Sequence, residues 1–230
     1  MLNTYSYSII FLIVGILIPV ITALQGAKVK KLLEASPEKR VAVYQKTVVM
    51  LTALAGLIFI GMAINQDNID IIGLGFIAEP YWLIGLFICS IGGLLAIQKI
   101  KVKESDIDKL MRKYKEVIYI LPSNLLEYKW MIAVSFVAGI AEEIIFRGFI
   151  YWMLVQYMHW TLAMIIMSVL FSISHWGTGI KNVISTLLLS FLWGTSLWLT
   201  GSLWLAMLTH ILVDLYSGTL AYKLVQKRKS

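Results

Sequence analysis

The sequence has few charged residues and only one cysteine. Charged side chains make up 14% of the 230 residues and hydrophobic ones 59%, with a mean hydropathy of +0.81. A soluble domain is about 25% charged and about 45–50% apolar, so this composition excludes a soluble globular protein and predicts a polytopic membrane protein. The single cysteine, Cys89, lies in an apolar run, which excludes a disulfide framework and indicates no redox chemistry.

Several motifs are also missing. The chain has no internal repeat, no low-complexity tract, no strand-like alternation, no glycine-rich phosphate loop and no H-E-x-x-H zinc motif. It has instead seven apolar runs of about the length that a helix needs to cross a bilayer. They cover residues 5–25, 44–64, 74–97, 129–155, 160–176, 181–199 and 202–222. We therefore predict an all-α transmembrane bundle of about seven spans, the first a retained helix and not a signal peptide.

Most basic residues lie in or beside alternate connections between these runs. They cluster at 28–46, at 99–115 and at 223–229, whereas the connection near 65–72 holds Asp67 and Asp70 and no base. This is the positive-inside pattern. It places the N-terminus outside and the C-terminus in the cytoplasm, and it assigns the net charge of +7 to anionic lipid headgroups and not to nucleic acid.

The longest polar stretch, Lys99–Glu127, is expected to contain a cytoplasmic surface helix over Ser105–Tyr119. We predict that it joins an N-terminal three-helix membrane region and linker, residues 1–127, to a four-helix catalytic core, residues 128–230. Both would form one integral membrane domain.

Three predicted spans carry ionisable residues where hydrocarbon is expected. These are Glu142, Glu143 and Arg147 in the fourth span, His175 at the end of the fifth, and His210 and Asp214 in the seventh. A charged side chain near the bilayer centre costs at least about 2.5–3.5 kcal/mol, so these groups should face protein or water. They predict one buried polar chamber shared by the three helices.

Helical spacing assigns neighbours within that set. Glu143 and Arg147 are four residues apart and can pair, which leaves Glu142 as the free carboxylate. His210 and Asp214 have the same spacing. A carboxylate in such a site can act as general base on water, while imidazoles can position that water, donate to an oxyanion or bind a metal. The residues thus indicate hydrolysis by an activated water.

The same residues resemble the motifs of a known family. Glu142-Glu143-x-x-x-Arg147, Phe171-x-x-x-His175 and His210-x-x-x-Asp214 look like the three motifs of the CPBP/Abi family, which contains type II CAAX prenyl endopeptidases and bacterial relatives linked to bacteriocin processing and self-immunity. The likeness covers about Tyr128 to Tyr222. It implies an intramembrane endopeptidase whose catalytic cavity opens to the cytoplasmic side.

The resemblance also implies roles for the site residues. Glu142 would be the general base and His175 would help to hold the water, while His210 and position 214 would face the oxyanion. Glu143, Arg147 and Phe171 would support them. Many family members have asparagine where this chain has Asp214, and an ionised aspartate only accepts hydrogen bonds. Asp214 is therefore protonated, orients His210, or binds a metal.

Several alternatives stay open at the level of sequence. Glu142, His175 and His210 could hold zinc with an open position, or the glutamate could act without metal. The expected setting is a bacterial cytoplasmic membrane, and the expected substrate is a peptide or small membrane protein, such as a pheromone or bacteriocin leader. A non-proteolytic immunity or regulatory scaffold and a proton-coupled carrier are the rival functions. The oligomeric state is not predicted.

Two further features of this region are interpreted as structural. Gly139 and Gly148 flank the acidic pair and are expected to allow close helix approach. Trp193, with Trp198 and Trp204, is assigned to an interfacial aromatic belt and to packing.

Overall fold

The computed structural model describes residues 2–75 and 79–229, and these form eight helices without strands. The all-α prediction is confirmed. The helices are α1, residues 2–35; α2, Arg40–Asn65; α3, Pro80–Gln98; α4, Ile107–Tyr114; α5, residues 125–155; α6, Trp160–Ser174; α7, Ile180–Thr200; and α8, Trp204–Lys229. Short 3₁₀ turns at Pro37–Lys39, Ile69–Ile72, Glu104–Asp106, Ile118–Ile120 and Trp176–Thr178 join them.

Every predicted span corresponds to a helix, but the count of seven membrane spans is not confirmed. Within the described residues, five helices are long and apolar enough to cross a membrane, namely α1, α2, α3, α7 and α8. Helix α6 has only 15 residues, and α5 carries three ionisable residues in its middle. The chain is therefore an integral membrane protein in which the helix with the buried charges, α5, is not identified by hydropathy.

The core forms around the middle of α5. All eight residues of Glu143–Ile150 are buried, and α2, α6 and α8 pack against this helix or against its neighbours. In contrast, no residue of the described helix segment Tyr81–Gln98 is buried, and this segment packs chiefly on α8. Apolar side chains on the outer faces of such helices suit lipid contact.

Two predicted boundaries differ from the structure. The third span was expected from residue 74, but residues 74 and 75 are not helical and the helix starts at Pro80, with Phe76, Ile77 and Ala78 outside the described residues. The surface helix is shorter than Ser105–Tyr119. Its α-helical part ends at Tyr114, and 3₁₀ turns stand on either side of it.

Candidate active site

The centre of the site is a π-helical segment of α5. Leu125–Glu142 is α-helical, and Glu143–Ile150 continues with the wider turns of a π-helix. Such turns are rare and occur frequently at functional sites. The sequence predicted ordinary α-helical periodicity here, which is wrong in this segment. Glu143 and Arg147 nevertheless remain neighbours.

Glu143 connects two helices through one oxygen atom. Arg147 Nη1 donates a hydrogen bond of 2.9 Å to Glu143 Oε1, and His210 Nδ1 lies 2.8 Å from the same oxygen. The predicted Glu143–Arg147 pair is thus present, with both side chains fully buried. Since a carboxylate accepts, His210 Nδ1 must carry the proton. The other ring nitrogen, Nε2, is left to face the rest of the site.

His210 Nε2 lies between two carboxylates. Glu142 Oε2 and Asp214 Oδ2 are each 3.8 Å from it, close enough for electrostatic attraction and too far for a direct hydrogen bond. The side chain of Glu142 is 16% exposed and that of Asp214 is 38% exposed, whereas that of His210 is 5% exposed. The two acids therefore occupy the accessible side of the site, and the imidazole lies at its base.

His175 stands at the C-terminal end of α6. Its Nδ1 lies 3.0 Å from the Phe171 carbonyl oxygen and 3.0 Å from Ser174 Oγ. Because a carbonyl only accepts, Nδ1 carries the proton in this arrangement and Nε2 is left as an acceptor. Among the described residues, the ring makes no hydrogen bond or ion pair with Glu142. It does interact electrostatically with Asp214.

The turn that follows His175 is fixed against α1. Gly177 lies in the 3₁₀ turn Trp176–Thr178, and a Cβ atom placed on it would be 2.7 Å from the Cα of Gly26. Only glycine at both positions permits this backbone approach. The contact holds the end of α6, and with it His175, in place.

Aromatic rings fill the space between the ionisable groups. Phe171 packs against both imidazoles, with ring centroids 4.9 Å from His175 and 6.2 Å from His210. The guanidinium of Arg147 lies 4.1 Å from the Phe171 ring centroid, an arrangement that favours a cation in a dry environment. Phe171 is thus the point at which α5, α6 and α8 meet.

Trp193 is a site residue that sequence reasoning missed. Its ring stacks on His210 with centroids 4.2 Å apart and an angle of 19°, and it lies 5.2 Å from the guanidinium of Arg147. It is 5% exposed, so its assignment to an interfacial belt is wrong, although its assignment to packing is right. An isolated tryptophan in an apolar helix gives no signal that separates these two locations.

A comparison with protein families finds a match in the region of the chain that contains these residues. Residues 124–216 match the family model described as Rce1-like: Type II CAAX prenyl endopeptidase Rce1-like. The match covers 93 of the 230 residues. It contains every ionisable residue of the site, and the resemblance to the CAAX-protease family is confirmed for it. No curated protein and no solved structure matches the chain.

Two glycines of the matched segment permit close approaches, Gly139 to helix α8 as predicted and Gly148 to the 3₁₀ turn Ile69–Ile72 and not to a helix. A Cβ atom on Gly139 would lie 2.9 Å from the backbone nitrogen of Ile211, the residue after His210. A Cβ atom on Gly148 would lie 3.1 Å from the carbonyl oxygen of Ile72. The first contact sets the distance between α5 and α8, and therefore the geometry of the Glu143–His210 bond.

The possible metal donors of the site do not converge on one point. Within the part of the chain that the structure describes, no three His, Cys, Asp or Glu side chains are arranged to hold a metal. Of the suggested ligands, Glu142 and His210 approach each other at 3.8 Å, but His175 does not join them. The arrangement of the described residues therefore does not fit a zinc site.

Proposed function

We propose that this membrane protein is an endopeptidase that hydrolyses a peptide bond in a membrane-associated peptide or small membrane protein. The observation that carries the proposal is the position of Glu142 beside His210 Nε2, while Glu143 holds the opposite ring nitrogen. The match of this segment to type II CAAX prenyl endopeptidases points to the same reaction. A partly exposed acid beside a buried, oriented imidazole suits acid–base chemistry.

The first step is attack by water. Glu142 takes one proton from a water that also donates a hydrogen bond to His175 Nε2, and the water oxygen bonds to the carbonyl carbon. The carbonyl π electrons move to the oxygen, where protonated His210 stabilises the charge through Nε2–H. Phe171 and Trp193 exclude bulk water around this donor, which strengthens the interaction.

The second step is departure of the amine. Glu142, now protonated, gives its proton to the amide nitrogen as the carbon–nitrogen bond breaks and the carbonyl re-forms. The products are a carboxylic acid and an amine, and Glu142 returns to its ionised state. We assign Asp214 to keeping His210 protonated, since an opposite charge at 3.8 Å favours the charged ring.

The proposed orientation puts the basic connections in the cytoplasm and the N-terminus outside. Helices α5 and α6 are adjacent, so counting both or neither as spans leaves this orientation unchanged. His175 ends α6 on the side of the basic connections. A substrate would therefore be cut near its cytoplasmic end, and a bacterial cytoplasmic membrane is the proposed setting.

Comparative peptide mass spectrometry tests the proposal. Membranes that contain the active protein are compared with membranes that contain Glu142→Ala, and we expect peptides that depend on Glu142. Glu38→Gln, an exposed acid before α2, is the matched control and should leave the peptide pattern unchanged. If Glu142→Ala and His175→Ala fold and retain both the peptides and the cellular phenotype, a non-proteolytic scaffold is the better reading. Metal analysis of the purified protein decides on a cofactor.

A further inference from the structure

A second cavity lies away from the catalytic groups, on the side of the basic connections. Its volume is about 340 Å³. It is formed by the start of α2, the surface helix α4, the linker before α5 and the last turns of α8. The residues that line it are Arg40, Met111, Ile118, Leu121, Ser123, Val225 and Arg228. Two arginines and four apolar side chains thus surround one space.

The buried side chain of Arg40 lines this cavity, and protein groups bond only some of its guanidinium nitrogen atoms. It is 6% exposed. Its Nε donates to the Tyr119 carbonyl oxygen at 3.0 Å, and its Nη1 donates to Glu127 at 2.6 Å and to Ser123 Oγ at 3.2 Å. Among the described residues, Nη2 makes no hydrogen bond. A buried guanidinium that lines a cavity and keeps a free donor edge is suited to an anionic oxygen.

Arg228 supplies the second cation that lines the cavity. It is exposed and sits in the last turn of α8, so its long side chain can swing toward a ligand. Glu127 neutralises much of the charge of Arg40, but Arg228 forms no ion pair in the described structure. The cavity therefore keeps net positive character.

The apolar lining of the cavity favours an anion that carries an apolar group over a small hydrated anion. Met111, Ile118, Leu121 and Val225 offer no polar group to a small hydrated anion, whereas they suit an acyl chain or a glycerol backbone. Helix α4 is amphipathic, with Ile107, Leu110 and Met111 separated from Asp108, Lys109 and Arg112. Such a helix lies in the plane of the membrane interface, at the depth of lipid phosphates.

We infer that this cavity binds the phosphate headgroup of an anionic lipid, with Arg40 and Arg228 on the phosphate and the apolar lining against the start of an acyl chain. Basic pockets at the cytoplasmic ends of membrane helices bind anionic lipid headgroups. The occupant would add to the contacts that already join the elements around the cavity, such as the hydrogen bond from Tyr114 in α4 to the Ser217 carbonyl oxygen in α8 and that from Gln226 in α8 to the Ser123 carbonyl oxygen. The site goes beyond the proposed peptidase activity and does not depend on it.

Native mass spectrometry of the full chain tests this inference. The delipidated protein is titrated with phosphatidylglycerol or with phosphatidylcholine of the same acyl chains. We expect tight binding of one phosphatidylglycerol, and Arg228→Gln should weaken it about tenfold, the factor that corresponds to about 1.4 kcal/mol. Val225→Phe, which fills the cavity without changing charge, should weaken it by a similar factor. Arg40 is left intact because its loss would leave Glu127 buried without a partner.

The control is Arg112→Gln, which removes the same charge from the exposed face of α4 and does not line the cavity. It should change the affinity less than twofold. Thermal unfolding without lipid confirms that each variant folds. Equal affinities for all four proteins, or equal binding of the two lipids, would overturn the inference. So would competition by free glycerol phosphate at the same affinity, since it would assign the cavity to a soluble phosphate.

Discussion

Glu143 Oε1 receives hydrogen bonds from both Arg147 and His210, at 2.9 Å and 2.8 Å. Its second oxygen is buried without a partner in the described structure, and so are Nε and Nη2 of Arg147. The two charges therefore stabilise each other mainly through one contact and through the surrounding rings. Each of these buried charges is therefore stable only while the other is present.

Removal of one member should be more harmful than removal of both. Glu143→Gln leaves the guanidinium of Arg147 fully buried and uncompensated, which is expected to cost about 3–5 kcal/mol of unfolding free energy. The double variant Glu143→Gln/Arg147→Met removes both the carboxylate and the guanidinium charge and should recover part of this loss. Denaturant unfolding in detergent of Glu143→Gln, Arg147→Met and the double variant measures the three losses relative to the parent. Losses that simply add would show that the two groups are not coupled.

Close packing of α5 on α8 should be sensitive to a single methyl group. In Gly139→Ala, the new Cβ meets the backbone of Ile211, which cannot move as a side chain can. We expect a loss of about 1–3 kcal/mol in stability and reduced peptide cleavage, because the Glu143–His210 bond lengthens.

Gly56→Ala in α2 is the matched control for that change. A Cβ atom there meets nothing within 4 Å, so the substitution should stabilise the helix by about 0.5–1 kcal/mol. The melting temperatures and cleavage rates of both variants test these expectations. If the two variants behave alike, the helix contact does not set the site geometry.

One buried hydroxyl has no partner. Ser168 in α6 is fully buried, and its Oγ makes no hydrogen bond in the described residues. Replacing it with alanine removes an unsatisfied group, which costs about 1–3 kcal/mol when buried, so Ser168→Ala should raise the melting temperature. Ser135→Ala, in which a 3.1 Å bond to the Met131 carbonyl oxygen is lost, should not. A lower melting temperature for Ser168→Ala would show that the hydroxyl is bonded.

Stability should fall in acid through Glu127, which lies just before the fourth apolar run. Burial raises the pKa of this carboxyl, but the backbone N–H of Ser123 and the guanidinium of Arg40 outweigh it, so that the pKa lies below the ordinary value of 4.5. A lowered pKa in the folded state stabilises the protein above the unfolded pKa. This contribution is lost as the pH falls below 4.5 and through the folded value.

Thermal unfolding at a series of pH values checks this dependence. The melting temperature of the parent protein should fall below about pH 4.5. The melting temperature of Glu127→Gln should be lower than that of the parent at neutral pH and should change less with pH in acid. A Glu127→Gln curve parallel to that of the parent would assign the acid loss to other groups.

Spacing along the chain predicts which site residues are neighbours within one helix. It does not predict how the helices bring these pairs together. Glu143 with Arg147 and His210 with Asp214 are each four residues apart, so the sequence alone predicts that each pair is close. The bond between Glu143 and His210 joins residues 67 positions apart, and only the packing of α5 on α8 creates it. The π-helical turns at Glu143 were not predicted either, since the sequence pattern of this run was interpreted as α-helical.

The number of spans could not be read from hydropathy for a physical reason. Helix α5 is covered by other helices and carries the buried charges, so it is less apolar than the lipid-facing α3. Trp193 shows the converse case. It looks like an interfacial residue in the sequence, yet its ring covers His210 in the core.

We propose Glu142 as the general base of the site. The most direct measurement is the cleavage rate of a substrate peptide by purified Glu142→Gln in proteoliposomes, with its melting temperature recorded beside that of the parent. We predict a rate lower by about 10²–10⁴-fold, the contribution of a general acid–base group, at an unchanged melting temperature. A folded Glu142→Gln protein that cleaves at the parental rate would contradict the account.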